Sequence, residues 1–160
     1  MEAWHDFFVA VAGAAAALTG LIFVGVSLSL TKLLTIPRLL DRASSALILL
    51  LTLLIISCFG LVPNQASILL GLEILSIGVV IWIIMFRLDQ SILKATQKEY
   101  RKQYKRMIVF TQVAILPYLI SGIVTLCTGY SGIYWLIPAI VFSFSKAVLD
   151  AWVLLVEIHR

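Results

Sequence analysis

The sequence predicts an all-α integral membrane protein, a bundle of five transmembrane helices with its N-terminus outside and its C-terminus cytoplasmic. Three observations carry that expectation. Apolar runs cover residues 7–30, 44–62, 66–86, 107–127 and 133–156, each within or near the roughly 17 to 25 residues that a spanning helix needs. The 160-residue chain is 62% hydrophobic and 12% charged, against roughly 45 to 50% apolar and about 25% charged in soluble domains. Its cations are also unevenly placed: Lys32, Arg38 and Arg42 fall in the first connection and seven more in residues 87–106, with none in 63–65 or 128–132. Cytoplasmic loops collect Lys and Arg, so an odd number of spans with the N-terminus outside satisfies every connection. Continuous Leu/Ile/Val stretches lack the alternation of a membrane barrel, which leaves helices as the structure that satisfies the backbone in lipid.

The first run begins after the acidic Glu2 and Asp6 and continues to Leu30 without a positive leader, which argues for a retained span rather than a signal peptide. One helical face of this span carries Gly13, Ala16, Ala17, Gly20, Ser27 and Thr31. Small residues let helix backbones approach in lipid, where the hydrophobic effect gives no reason to associate. The face therefore packs either within one subunit or between copies around a pathway. Trp4, Tyr130, Tyr134 and Trp135 fall near the outer boundary, where amphipathic rings settle.

Pro37 and the stretch to Arg42 are expected to lie along the interface before Ser44 and Ser45 open span two. Span two is rich in Leu and Ile from Leu47 to Ile56, a pattern suited to lipid contact, and Pro63-Asn64-Gln65 turns the chain into span three. Residues 87–106 contain no Gly or Pro, and Lys94, Lys98, Arg101 and Lys105 recur at helical spacing. With Lys102 and Arg106 they predict a basic cytoplasmic helical segment, either a hairpin extending spans three and four or one surface helix, in contact with anionic lipid or a cytoplasmic protein partner. Pro117 is expected to kink span four, which also carries Gln112.

Polar residues inside the spans are the functional candidates, because an ionisable group in lipid is costly and normally faces a bundle interior or a hydrated cavity. Lys146 and Asp150 stand one turn apart in span five, with Ser143 and Glu157 on their face. They form either an internal ion pair or the charged constriction of a pathway. Glu73 lies two turns into span three and needs a partner; Ser57, Tyr118 and Ser121 are expected at similar depth. Cys58 and Cys127 are expected as buried free thiols, with a disulfide as the alternative if their helix ends meet.

Several function classes are not supported. The net charge of +4 is juxtamembrane and belongs to topology, so no nucleic acid partner is expected. Two histidines, His5 and His159, and no Cys/His spacing give no metal site. No nucleophile motif or intramembrane base appears, so neither catalysis nor a cofactor is expected.

The N-terminal half resembles an uncharacterised family of small bacterial integral membrane proteins. The residues carrying that resemblance are Trp4-His5-x-Phe7-Phe8, the GAAAALTGL segment from Gly13 to Leu21, Phe23-Val24 and Ser27-Leu28-Ser29-Leu30, with a looser match at Gln65 and Leu70-Gly71-Leu72-Glu73. The resemblance implies the bacterial cytoplasmic membrane and no particular activity. Taken together, the expectation is a homo-oligomeric channel or pore for ions or small solutes, with Ser27, Thr31, Gln112, Lys146, Asp150 and Glu73 along the path. The alternative is a non-catalytic scaffold or sensor subunit acting through the basic segment.

Overall fold

The computed structural model describes residues 2–35, 37–95 and 101–158. Those residues form helices α1 (Glu2–Leu28), α2 (Leu30–Thr35), α3 (Pro37–Gly60), α4 (Ser67–Ala95), α5 (Arg101–Thr128) and α6 (Leu136–Ile158), with a 3-10 segment, Gly129–Trp135, between the last two. No strand occurs among the described residues. Four helical stretches are long and apolar enough to cross a membrane: Trp4–Leu28, Leu39–Gly60, Ser67–Leu93 and Tyr104–Leu154. The last is 51 residues long and doubles back on itself at the 3-10 segment. Ser121 meets Gly132, Tyr118 meets Ser143 and Tyr104 shares a cavity lining with Asp150, so α5 and α6 run antiparallel.

Helices α3, α4, α5 and α6 close into a ring in which each packs on the next and α6 returns to α3. Leu50, Leu53, Ile56, Leu70, Ile74, Tyr118, Leu136 and Ala139 fill its interior. Closest approach is between α4 and α5, where a Cβ at Gly122 would lie 2.8 Å from the Leu75 backbone. Glycine is required there because any side chain would push the two helices apart. A second close approach seats the 3-10 segment on α5: Ser121 Oγ donates to the Gly132 carbonyl (2.9 Å), and a Cβ at Gly132 would fall 2.3 Å from the Thr125 nitrogen. Pro117 lies inside α5 and removes one backbone donor from it.

Helix α1 lies outside the ring, laid against α3. It packs through its larger residues, Phe8 and Val11 with Ala15, while Leu18 and Ile22 extend the same face. The Phe8 ring covers Gly60, where an added Cβ would stand 2.7 Å from it. Two expectations change here. Span two is the most buried long helix rather than a lipid-facing one, because its Leu49, Leu50, Leu53 and Ile56 meet neighbours from α1, α4 and α6. Cys58 and Cys127 are free and exposed, so neither is a buried thiol.

The helices also extend past the apolar runs. Helix α3 begins at Pro37, so the Arg42 region is part of the bundle and not a separate interfacial stretch. Helix α4 continues to Ala95 and α5 starts at Arg101, giving a helical pair on either side of residues 96–100. Lys98 lies outside the described residues, as do the side chains of Lys94, Arg101 and Lys102; Lys105 and Arg106 are exposed.

Candidate functional site: a buried charge cluster

The ring brings together charges that the sequence spreads over 109 positions, from Arg42 to Asp150, at the end where α3 and α5 begin and α4 and α6 finish. Arg42 and Ser45 come from α3, Asp89 from α4, Tyr104, Met107 and Thr111 from α5, and Lys146 and Asp150 from α6. Together they surround a cavity of about 10 Å³, on the order of the space one ordered water needs. Asp89, Lys146 and Asp150 are 7%, 6% and 2% exposed.

Lys146 donates to Asp150 Oδ2 across one turn of α6, the ion pair that the i,i+4 spacing allows. That pair does not complete the electrostatics. Asp89 faces both Lys146 and Asp150 from α4, yet its Oδ2 has no hydrogen-bond partner among the described residues. Gln112 accepts a hydrogen bond from Trp82 Nε1 (2.9 Å), and its buried Nε2, which makes no bond of regular geometry among the described residues, stands beside the Asp89 carboxylate. Arg42 directs Nη2 at the Met107 sulfur (3.4 Å) and leaves Nη1 buried without a partner among the described residues. Two cations and two carboxylates thus balance in charge while two of their atoms, Arg42 Nη1 and Asp89 Oδ2, have no partner among the described residues. Unbonded buried polar atoms are costly, which makes the cluster the candidate site of the bundle.

Arg42, Asp89 and Tyr104 carry no prominence in the sequence, because each sits at the margin of an apolar run. Their helical phase does hold a signal. Asp89 continues the buried stripe of Ile81, Met85 and Ile92, and Arg42 precedes Ser45, Leu49, Thr52 and Ile56 on the inward face of α3.

At the opposite end, Gln65 Nε2 donates to Glu73 Oε2, and Tyr130 Oη donates to the Gln65 carbonyl. Glu73 is therefore partnered by Gln65 and not by Ser57, Tyr118 or Ser121. Tyr118 pairs with Ser143 Oγ (2.9 Å), Ser121 caps Gly132, and Ser57 Oγ has no partner among the described residues. Gln65 reaches Glu73 because it precedes the first turn of α4 after the Asn64 bend, whose φ is 54°. Trp4 stacks edge-on against Tyr134 with ring centres 4.9 Å apart, which ties the start of α1 to the same end.

On α1, Gly13, Ala16, Ala17, Gly20, Ser27 and Thr31, the last on α2, are all exposed. A Cβ added at Gly13, Gly20 or Gly25 would meet nothing within 4 Å. The small face is thus turned away from the ring, and the protomer does not use it for its own packing. His5 and Asp6 are exposed near the start of α1. No protein-family model, curated protein or solved structure matches the chain.

Proposed function

We propose that the protein is a homo-oligomeric membrane channel or pore for ions or small solutes, with copies meeting through the small face of α1. In this reading the chain crosses the bilayer five times, because the doubled-back Tyr104–Leu154 stretch supplies two crossings. The N-terminus and the Gln65–Tyr130 end face outward, and the basic end, with exposed Arg87, Lys105 and Arg106, faces the cytoplasm. The observation that carries the reading is the outward set Gly13, Ala16, Ala17 and Gly20. Lipid gives a helix no advantage from shedding side chains on a lipid-facing surface, whereas a second helix gains close van der Waals contact there.

Apolar side chains fill the ring, and the cavity at its charged end is only about 10 Å³. The pathway therefore runs between protomers, bordered by α1 with Ser27 and Thr31 as its polar contacts. Lys146 and Asp150 hold the ring's basic end together, and Glu73 acts near the outer mouth. The variant Gly20→Leu separates fold from assembly, because the protomer has open space there. Purified in detergent and reconstituted into liposomes, it is expected to fold, to lose the oligomer and to lose ion flux together. Unchanged flux from a monomeric variant, or no flux from a well-folded wild-type oligomer, would count against the channel.

The scaffold reading draws support from the exposed Arg87, Lys105 and Arg106 at one end of the protomer. A cytoplasmic protein that copurifies in stoichiometric amount, and is lost when Lys105 and Arg106 become Gln, would favour it.

A further inference from the structure

The charge cluster selects its own ligand class. Among the described residues, its lining holds an unpartnered buried acceptor, Asp89 Oδ2, and an unpartnered buried donor, Arg42 Nη1. A ligand that satisfies both kinds must donate and accept. The formal charges of Arg42, Lys146, Asp89 and Asp150 already cancel, so an added ion would stand uncompensated in a buried site. Space is limited to about 10 Å³, which suits one water molecule and excludes a polyatomic anion.

Geometry also indicates where that molecule binds. Asp89 and Lys146 line the same cavity, yet the two make no direct ion pair; the Lys146 ammonium gives one hydrogen bond to Asp150. An ammonium has three donors, so two remain. All three of these side chains are more than nine-tenths buried.

We infer that the cluster is a specific water-binding site in which one ordered water accepts from Lys146 Nζ and donates to Asp89 Oδ2, linking α6 to α4. Lys146 then serves two carboxylates at once, Asp150 directly on its own helix and Asp89 through water on the neighbouring one. Gln112 Nε2, outside the cavity lining, lies beside Asp89 to donate to the carboxylate. The site stands whether or not the oligomer conducts, since every group in it belongs to one protomer.

The test combines a high-resolution structure of the full chain in lipid nanodiscs with unfolding equilibria in mixed micelles. Wild type is expected to show one ordered water within hydrogen-bond distance of both Asp89 Oδ2 and Lys146 Nζ. Asp89→Glu keeps every charge and adds one methylene, so its carboxylate is expected to meet Lys146 directly and the water to disappear. In a double-mutant cycle, Asp89→Asn with Lys146→Met is expected to depart from the product of the single variants by about threefold to tenfold in the unfolding constant. Direct contact of Asp89 with Lys146 in wild type, or a site without water there, would overturn the inference. So would independence of the two positions, or an Asp89→Glu variant that retains the water. Should Lys146→Met fail to fold, the wild-type and Asp89→Glu structures decide the matter alone.

Discussion

Helices α1 and α3 are almost equally apolar, yet 56% of the α3 span is buried in the protomer against 17% of the α1 span. The difference teaches what apolarity means in lipid. A soluble helix shows its buried side by contrast with a polar one, but a membrane helix is apolar all round and its orientation is set by side-chain shape. Helix α3 offers Leu49, Leu50, Leu53 and Ile56 to several neighbours, whereas α1 offers Phe8, Val11 and Ala15 to α3 and turns its small residues outward. The outward surface of α1 also carries Val9, Leu21, Phe23 and Val24, and its small residues are the part suited to another helix.

Two pairs of substitutions and one single change test that contrast, in decreasing order of expected effect. Leu50→Ala in α3 removes a fully buried side chain and is expected to destabilise the fold by about 3 kcal/mol, mostly as lost packing because lipid is itself apolar. Leu21→Ala on α1, 70% exposed, is expected to change stability by less than about 0.5 kcal/mol. Detergent-titration unfolding measures both, and equal losses would erase the distinction between the two helices. Gly122→Ala, at the closest approach of α4 to α5, is expected to cost about 2 kcal/mol. Gly20→Ala on α1 is expected to leave the protomer unchanged, since open space surrounds it. Tyr134→Leu removes the edge-on contact with Trp4 and is expected to weaken the seating of α1 by about 1 kcal/mol. Tryptophan emission from Trp4 would shift as the helix end loosens, and no shift in emission or stability would place the hold on α1 elsewhere.

The helical class was legible because long runs without charge leave the chain no other way to satisfy its backbone in lipid. The turn at Pro63-Asn64 and the Lys146–Asp150 pair were legible for local reasons: two turn-forming residues in a row, and two charges one turn apart. What sequence reading missed is non-local. Arg42 and Asp89 were assigned to connections because an apolar run is counted as ending at its first charge, whereas a helix ends where its backbone hydrogen bonds end. Glu73 was matched to partners at similar depth, but its partner Gln65 comes from the turn before the helix. The rotation of α1 was open in principle, since a small face serves association equally well inside a subunit or between two.

The outward face of α1 is most directly tested by disulfide crosslinking in native membranes. In a background with Cys58→Ser and Cys127→Ser, which removes the two exposed native thiols, a cysteine is placed either by Gly20→Cys on α1 or by Val148→Cys on the exposed side of α6. The account predicts a covalent dimer from Gly20→Cys and little from Val148→Cys under the same mild oxidation. Equal crosslinking from both positions, or none at Gly20 while Val148 crosslinks, would contradict it.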